Sequence, residues 1–327
     1  MTEFSFISTS DIHISDINPR ARLDDYKAAM LGKIAQMRTA CTKLNTDAAL
    51  IAGDLFNLKN PAKNSHELNQ DLIKEFSQFP CPIYMIEGNH DLTANNIESL
   101  KEQPLGVLFA DKTLRQLRHE IIEKNGLKIS LVGIPYTENL ALNSLKIPEN
   151  KDYIAQICLM HIYAGLKPGK VYKERLYGYD ELTKLSPNIF VLGHYHVDNG
   201  TYEMDDKHFI NLGSLCRGSL AEDSISHFPH IGYIKITVED DGSRSIFIKP
   251  IKIKIKPADE VFDLVKKEEE KKENEEIKLF VEKLALETLN SDNKSLTVDN
   301  LIDNIDMTKI VREKVLHYIQ EARLEKK

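Results

Sequence analysis

Seven side chains able to ligate a hard cation stand at the ends of five apolar runs in this chain. Residues 82–91 read Pro-Ile-Tyr-Met-Ile-Glu-Gly-Asn-His-Asp: a buried-strand pattern, a glycine that lets the chain turn, then Asn89, His90 and Asp91 together. Four other runs end alike. Asp11 and His13 follow residues 4–8, and Gly53 with Asp54 follows residues 48–52. His161 follows residues 157–160, and Gly193, His194 and His196 follow residues 189–192. Any one of these is an ordinary polar turn. Five in sequence describe a metal site built from many strands, because open α/β sheets bind ligands beyond the carboxyl ends of their strands.

The donor types narrow the chemistry. Carboxylate (Asp11, Asp54), amide (Asn89) and imidazole (His13, His161, His194, His196) without sulfur suit manganese, magnesium, iron or zinc. Seven donors exceed one tetrahedral site and fit two ions ~3.5–4 Å apart, whose bridging hydroxide can attack a phosphate. His90 is set apart from them. Neighbours on an extended segment point in opposite directions, so an Asn89 facing the ions turns His90 toward substrate, where it is expected either to protonate the leaving oxygen or to steady charge on the phosphoryl group. Asp91 is expected to fix the tautomer of His90. Arg20, Arg22, Asn57, Tyr136 and Arg217 are candidate substrate contacts, whereas His66, His119, His208, His227, His230 and His317 read as structural.

The elements that must position these groups alternate as βαβ units. A helix over residues 23–44 follows from Met30, Ile34, Met37 and Cys41 sharing a face, and another over 65–79 from Leu68, Leu72, Ile73 and Phe76. Asn125-Gly126 signals a hairpin between residues 120–123 and 128–132. Asp205-Asp206 and Asp240-Asp241-Gly242 separate later strand pairs, giving two stacked sheets with helices outside. Between Pro250 and Pro257, Ile251, Ile253 and Ile255 alternate with Lys252, Lys254 and Lys256, the pattern of an edge strand guarded by lysines. A basic stripe for phosphate backbones is the competing reading.

Composition shifts after Pro257. Residues 266–276 are almost wholly charged and read as a solvated helical linker, and two amphipathic helices are expected within 277–327. This gives three expected regions: 1–257, 258–276 and 277–327. Residues 258–327 carry 13 Lys/Arg against 18 Asp/Glu, leaving 30 against 32 before them, so the net charge of −7 lies mostly in the tail. Near neutrality in the first region, together with bound divalent ions, removes the objection to a polyanionic substrate. Cys41, Cys81, Cys158 and Cys216 form no paired motif and are expected as reduced thiols. No run approaches the ~20 apolar residues of a membrane span, and Met1-Thr2-Glu3 opens no signal sequence, so a cytoplasmic protein is expected, in the host cytoplasm if viral.

Asp11-x-His13, Gly53-Asp54, Gly88-Asn89-His90-Asp91, His161 and Gly193-His194-Tyr195-His196 together resemble the motif set of the calcineurin-like metallophosphoesterases. That resemblance implies a four-layer α/β/β/α sandwich with a C-terminal helical extension. It assigns one ion to Asp11, His13, Asp54 and His196 and the second to Asn89, His161 and His194, with Asp54 bridging. Gly53-Asp54-Leu55-Phe56, Gly133-Ile134-Pro135-Tyr136 and Asn211-Leu212-Gly213-Ser214 with Arg217 are similar to the nuclease subunit of SbcCD-type DNA repair and recombination complexes and its phage counterparts. The implied activity is manganese-dependent exonucleolytic cleavage of DNA, with endonucleolytic cleavage left open. The implied partners are DNA, an SMC-type ATPase gripping the C-terminal helices, and a second copy of the chain. Many relatives carry histidine where this chain has Asn57. A phosphatase or cyclic-nucleotide phosphodiesterase on the same scaffold, and a metal-poor interaction module, are the alternatives.

Overall fold

The computed structural model describes residues 1–20, 22–171 and 173–265 and, farther on, the scattered positions 268, 271, 272, 275, 277, 312 and 316. The chain divides into two compact units, Met1–Phe262 and Asp263–Lys327. The first carries every structural feature described below. The amphipathic helices expected within 277–327 lie outside the described residues.

Two six-stranded sheets form the first unit. One has the order Arg244–Lys252, His230–Val238, Thr2–Thr9, Ala48–Ala52, Ile83–Ile86, Arg115–Gln116. The other runs Asp198–Met204, Lys207–Leu212, Ile189–Gly193, Tyr153–His161, Leu127–Ile134, His119–Lys124. The three strands Thr2–Thr9, Ala48–Ala52 and Ile83–Ile86 pair in parallel, as do Leu127–Ile134, Tyr153–His161 and Ile189–Gly193. All their carboxyl ends can therefore gather functional groups at one rim.

Alternation along each strand sorts the apolar residues into layers. Phe4, Phe6, Leu50 and Ile86 of the first sheet meet Leu131, Ile157, Leu159 and Val191 of the second in a buried seam. The opposite face of the first sheet, with Ile7, Ala49 and Ile51, packs on Met30, Ile34, Met37, Leu68 and Leu72. Those residues sit on helices Tyr26–Leu44 and His66–Phe76, whose first turns are capped by the Asp25 and Ser65 side chains. Outside the second sheet, Cys158, Phe190 and Phe209 are covered by Tyr177, Tyr179 and Leu182. This last layer is slight, being a three-stranded ribbon of Ala164–Gly165, Glu174–Gly178 and Gly169–Val171 plus the single turn Tyr179–Leu182.

The expected sandwich is present. Asn125 and Gly126, both in the left-handed region, make the hairpin turn between His119–Lys124 and Leu127–Ile134. Arg244–Lys252 is the edge strand, with Pro250 opposite Gly232, so the strand pattern read over 250–257 stops at Lys252, and Ile253 is buried beyond the strand's end. Pro104–Ala110 adds a short helix that the sequence periodicity does not announce. All four cysteines are free. No helix among the described residues is long and apolar enough to cross a membrane.

Candidate metal centre

Three ligand-bearing segments leave the first sheet and two leave the second, all at the same rim. Asp11 and His13 lie just beyond Thr2–Thr9, Asp54 just beyond Ala48–Ala52, and Asn89 beyond Ile83–Ile86. His161 ends Tyr153–His161, while His194 and His196 follow Ile189–Gly193. Donor atoms of Asp11, His13, Asp54 and His196 converge in one cluster, and those of Asp54, His161 and His194 in a second. Asp54 belongs to both.

The distances place Asp54 at the centre. Its Oδ2 lies 3.5 Å from His13 Nε2 and 3.3 Å from His161 Nε2, while Oδ1 accepts a 2.7 Å bond from the His90 N–H. Asn89 Oδ1 is 3.2 Å from His161 Nε2, which adds the amide to the second cluster. Asp11 Oδ1 stands 3.5 Å from His196 Nε2 and 3.8 Å from His13 Nε2. The Nε2 atoms of His13 and His196 face each other at 3.0 Å.

The local backbone shows what this convergence requires. Asp11, His13, Asp54 and His194 all adopt positive φ, a conformation costing roughly 1–3 kcal/mol that persists where the surroundings dictate it. Glycines permit the close approach. A Cβ on Gly88 would stand 2.1 Å from Asp54 Oδ1, and one on Gly53 only 2.3 Å from His161 Nδ1. Backbone bonds from His13 N to Asp54 O (3.0 Å) and from Ser214 N to His196 O (3.1 Å) fix the loops against each other.

Electrostatics agree with a cation site. Asp11 and Asp54 are buried, and among the described residues their ion pairs are all with histidines, never with Lys or Arg. Burial raises the Asp11 carboxyl, but the His196 hydrogen bond and the His161 charge outweigh it and hold its pKa at about 2. Burial is outweighed at Asp54 too, where His161 and His13 pull the carboxyl well below its ordinary range. Burial lowers His13 to about 3 and His194 to about 4, leaving both rings neutral. At His161 the Asp54 charge overcomes burial and raises the pKa to about 9. Buried oxygen and imidazole donors that lack any Lys or Arg counter-charge are the donor set of a divalent ion, so the residues present fit a metal pair.

His90 borders the first cluster. Its ring meets the His13 ring edge-on at 4.7 Å, and its Nδ1 is 2.7 Å from the Asn57 carbonyl oxygen. A carbonyl only accepts, so Nδ1 carries hydrogen and Nε2 is left to exchange a proton. Beside it opens a cavity of about 260 Å³ whose lining includes His13, Asn57, His90, His196, Ser214 and His227.

Five expectations need correction. Residues Asn89–Asp91 form a tight 3₁₀ turn, not an extended segment, and the turn itself separates Asn89 from His90. Asp91 does not orient His90. Its buried carboxylate accepts from Leu55 N (3.0 Å), Phe56 N (3.1 Å) and Gly88 N (3.0 Å), tying the Asp54 loop to the Asn89 loop. Burial and the nearby Asp54 charge push its pKa up to about 8, against the pull of those N–H donors. Arg22 is buried, paired with Asp24 and donating to the Arg217 carbonyl. Arg217 spends its donors on the carbonyls of Ser224, Ile225 and Lys256. Both guanidiniums stack on Phe262, and neither is among the residues that line the cavity beside His90. Arg20 is exposed on the loop after the first strand and is not among the cavity-lining residues.

Tyr136 stands beside the second cluster, its ring 5.2 Å from that of His194. Two groups here escape sequence reasoning. His227 lines the cavity with Nε2 2.7 Å from the Ser214 carbonyl, and Glu174 reaches His194 from the outer ribbon. Neither follows an apolar run, so no periodic signal marks them.

Comparison with known proteins matches this arrangement. The family model described as calcineurin-like phosphoesterase matches residues 4–212, which contain every ligand named above. Among solved structures, a Staphylococcus aureus protein provisionally named a 5'-nucleotidase is similar at 15% identity and TM-score 0.51, covering 78% of this chain and 55% of its own. The calcineurin-like phosphoesterase YfkN from Bacillus subtilis is similar at 15% identity and TM-score 0.46, covering 76% and 90%. A dimetal phosphatase from Danio rerio is similar at 11% identity and TM-score 0.47, covering 77% and 97%. The first of these likenesses concerns the fold, and this chain spans little more than half of that protein's length. The sandwich, the two overlapping ligand clusters and the family match across most of the chain give one conclusion: the protein belongs to the calcineurin-like phosphoesterase family.

Proposed function

We propose that this chain is a two-metal phosphodiesterase that cleaves DNA, the nuclease subunit of an SbcCD-like complex. The observation that carries the hydrolytic part is the pair of ligand clusters sharing Asp54, with His90 on the edge of an open cavity. Asp11, His13, Asp54 and His196, and Asp54, Asn89, His161 and His194, would hold divalent ions that, when bound, would supply an activated water and a positive clamp for phosphoryl oxygens. The protein's own residues do the rest. The Asn57 carbonyl holds the His90 Nδ1 hydrogen, so Nε2 is the nitrogen placed to hand a proton to the leaving oxygen. Asp91 keeps the two loops that carry Asp54 and His90 in register.

The DNA assignment is supported by the local motifs around Phe56, Tyr136 and Ser214 and by the charged tail. Manganese is the proposed metal. The proposed docking site for an SMC-type ATPase is residues 277–327, joined by a 258–276 linker, and pairing with a second copy is part of the same reading.

A specific observation favours a second reading, a phosphatase or nucleotidase. Among the described residues no Lys or Arg lines the cavity beside His90, and about 260 Å³ holds one small phosphoester. The test is manganese-dependent digestion of end-labelled duplex DNA beside turnover of a 5'-nucleotide and p-nitrophenyl phosphate. Nucleolytic products support the first reading. Monoester turnover without DNA cleavage selects the second.

A further inference from the structure

We propose that Glu174 is a positioning residue for the second ion: it fixes the Nε2–H tautomer of His194 and so makes Nδ1 the ring's ligand atom. The inference rests on the metal-centre reading above. Glu174 Oε2 lies 3.1 Å from His194 Nε2 and 3.2 Å from the Tyr136 hydroxyl. A carboxylate only accepts, so both neighbours donate to it. A neutral imidazole with hydrogen on Nε2 has one lone pair left, on Nδ1.

The ring is packed between aromatic neighbours. The Tyr163 ring lies 3.9 Å from the His194 ring and the Tyr136 ring 5.2 Å away. The His194 backbone N–H is held by both Asp11 oxygens at 3.1 and 3.0 Å. Glu174 stays outside the converging donors, which are Asp54, His161 and His194.

His161 is arranged the opposite way. Its Nδ1 lies 2.7 Å from the Ala52 carbonyl, leaving Nε2 toward Asp54 and Asn89. The two imidazoles of one site thus turn different nitrogens toward the converging donors, one held by a main-chain carbonyl inside the seam and the other by a carboxylate reaching in from the outer ribbon. Partners of this kind orient a ligating histidine and typically change metal affinity about 10–100-fold.

The experiment combines two readouts on the full-length protein. Long-range ¹H–¹⁵N spectra of the metal-free protein report the His194 tautomer, and manganese titration calorimetry reports each ion. The wild type is expected to show Nε2–H at His194 and two ions. E174A is expected to lose that tautomer and weaken the second ion roughly 10–100-fold, with the first unchanged. E174Q keeps an acceptor oxygen and is expected to restore both within a few-fold, while unchanged thermal unfolding of metal-free E174Q excludes a folding defect. An Nδ1–H tautomer in the wild type, or E174A binding both ions normally, overturns the proposal alone. A wild type that takes up no manganese overturns it together with the metal centre.

Discussion

His90 Nδ1 and the Asn57 carbonyl oxygen lie 2.7 Å apart, so the orientation of the candidate proton donor is set by main chain. Asn57→Ala keeps that carbonyl and is expected to change turnover less than about threefold. His90→Ala is expected to lower it roughly 10²–10⁴-fold while both ions still bind. Steady-state rates beside manganese calorimetry check the pair. Loss of an ion in His90→Ala refutes its place outside the ligand set.

Asp54 offers oxygens to both clusters, and the other ligands to one each. Asp54→Asn is therefore expected to abolish both binding events, His196→Ala only the first and His161→Ala only the second. Calorimetric stoichiometry distinguishes these outcomes.

Asp91→Ala leaves the Leu55, Phe56 and Gly88 N–H groups buried without an acceptor. A loss of roughly 3–5 kcal/mol in denaturant unfolding is expected, with metal uptake falling alongside. A stable Asp91→Ala protein with selectively slowed turnover would return the residue to a role beside His90.

Lys33 is buried with its ammonium on the Leu215 carbonyl at 2.7 Å, and burial lowers its pKa to about 7. The unfolded chain binds this proton up to about pH 10.4, so between those values unfolding takes up a proton and stability rises with pH. Relative to Lys33→Met, the wild type is expected to gain on the order of 2 kcal/mol from pH 7 to pH 9. Parallel stability curves for the two proteins would contradict a buried, titrating amine.

Phe262 is 1% exposed and stacks on both Arg22 and Arg217. A chain ending at residue 257 is expected to unfold about 2–3 kcal/mol more easily than one ending at 262, by loss of this buried ring. Equal unfolding midpoints would show that the ring contributes nothing.

The strand ends were legible because an apolar run followed by Asp, Asn or His has few other uses when it recurs five times. Met30, Ile34 and Met37 likewise declared their helix by spacing alone. The arginines misled, since a guanidinium looks the same in sequence whether it meets phosphate or, like Arg217, the carbonyls of Ser224 and Ile225. Asp91 misled because adjacency in sequence suggested a partner that the 3₁₀ turn removes. Glu174 was invisible, because it stands 20 residues before His194 on a short strand of the outer ribbon, and no periodicity encodes a contact between that ribbon and the end of a core strand.

The ligands of each proposed ion come from both sheets: Asp11, His13 and Asp54 with His196, and Asp54 and Asn89 with His161 and His194. Apolar packing across the seam is non-directional, whereas ligand bonds are directional. Metals bound there act as cross-ties between the two halves of the sandwich, each adding about 2.7 kcal/mol when present at a hundredfold its dissociation constant. Removal of such metals is therefore expected to lower the unfolding free energy and to hasten proteolysis of the chain.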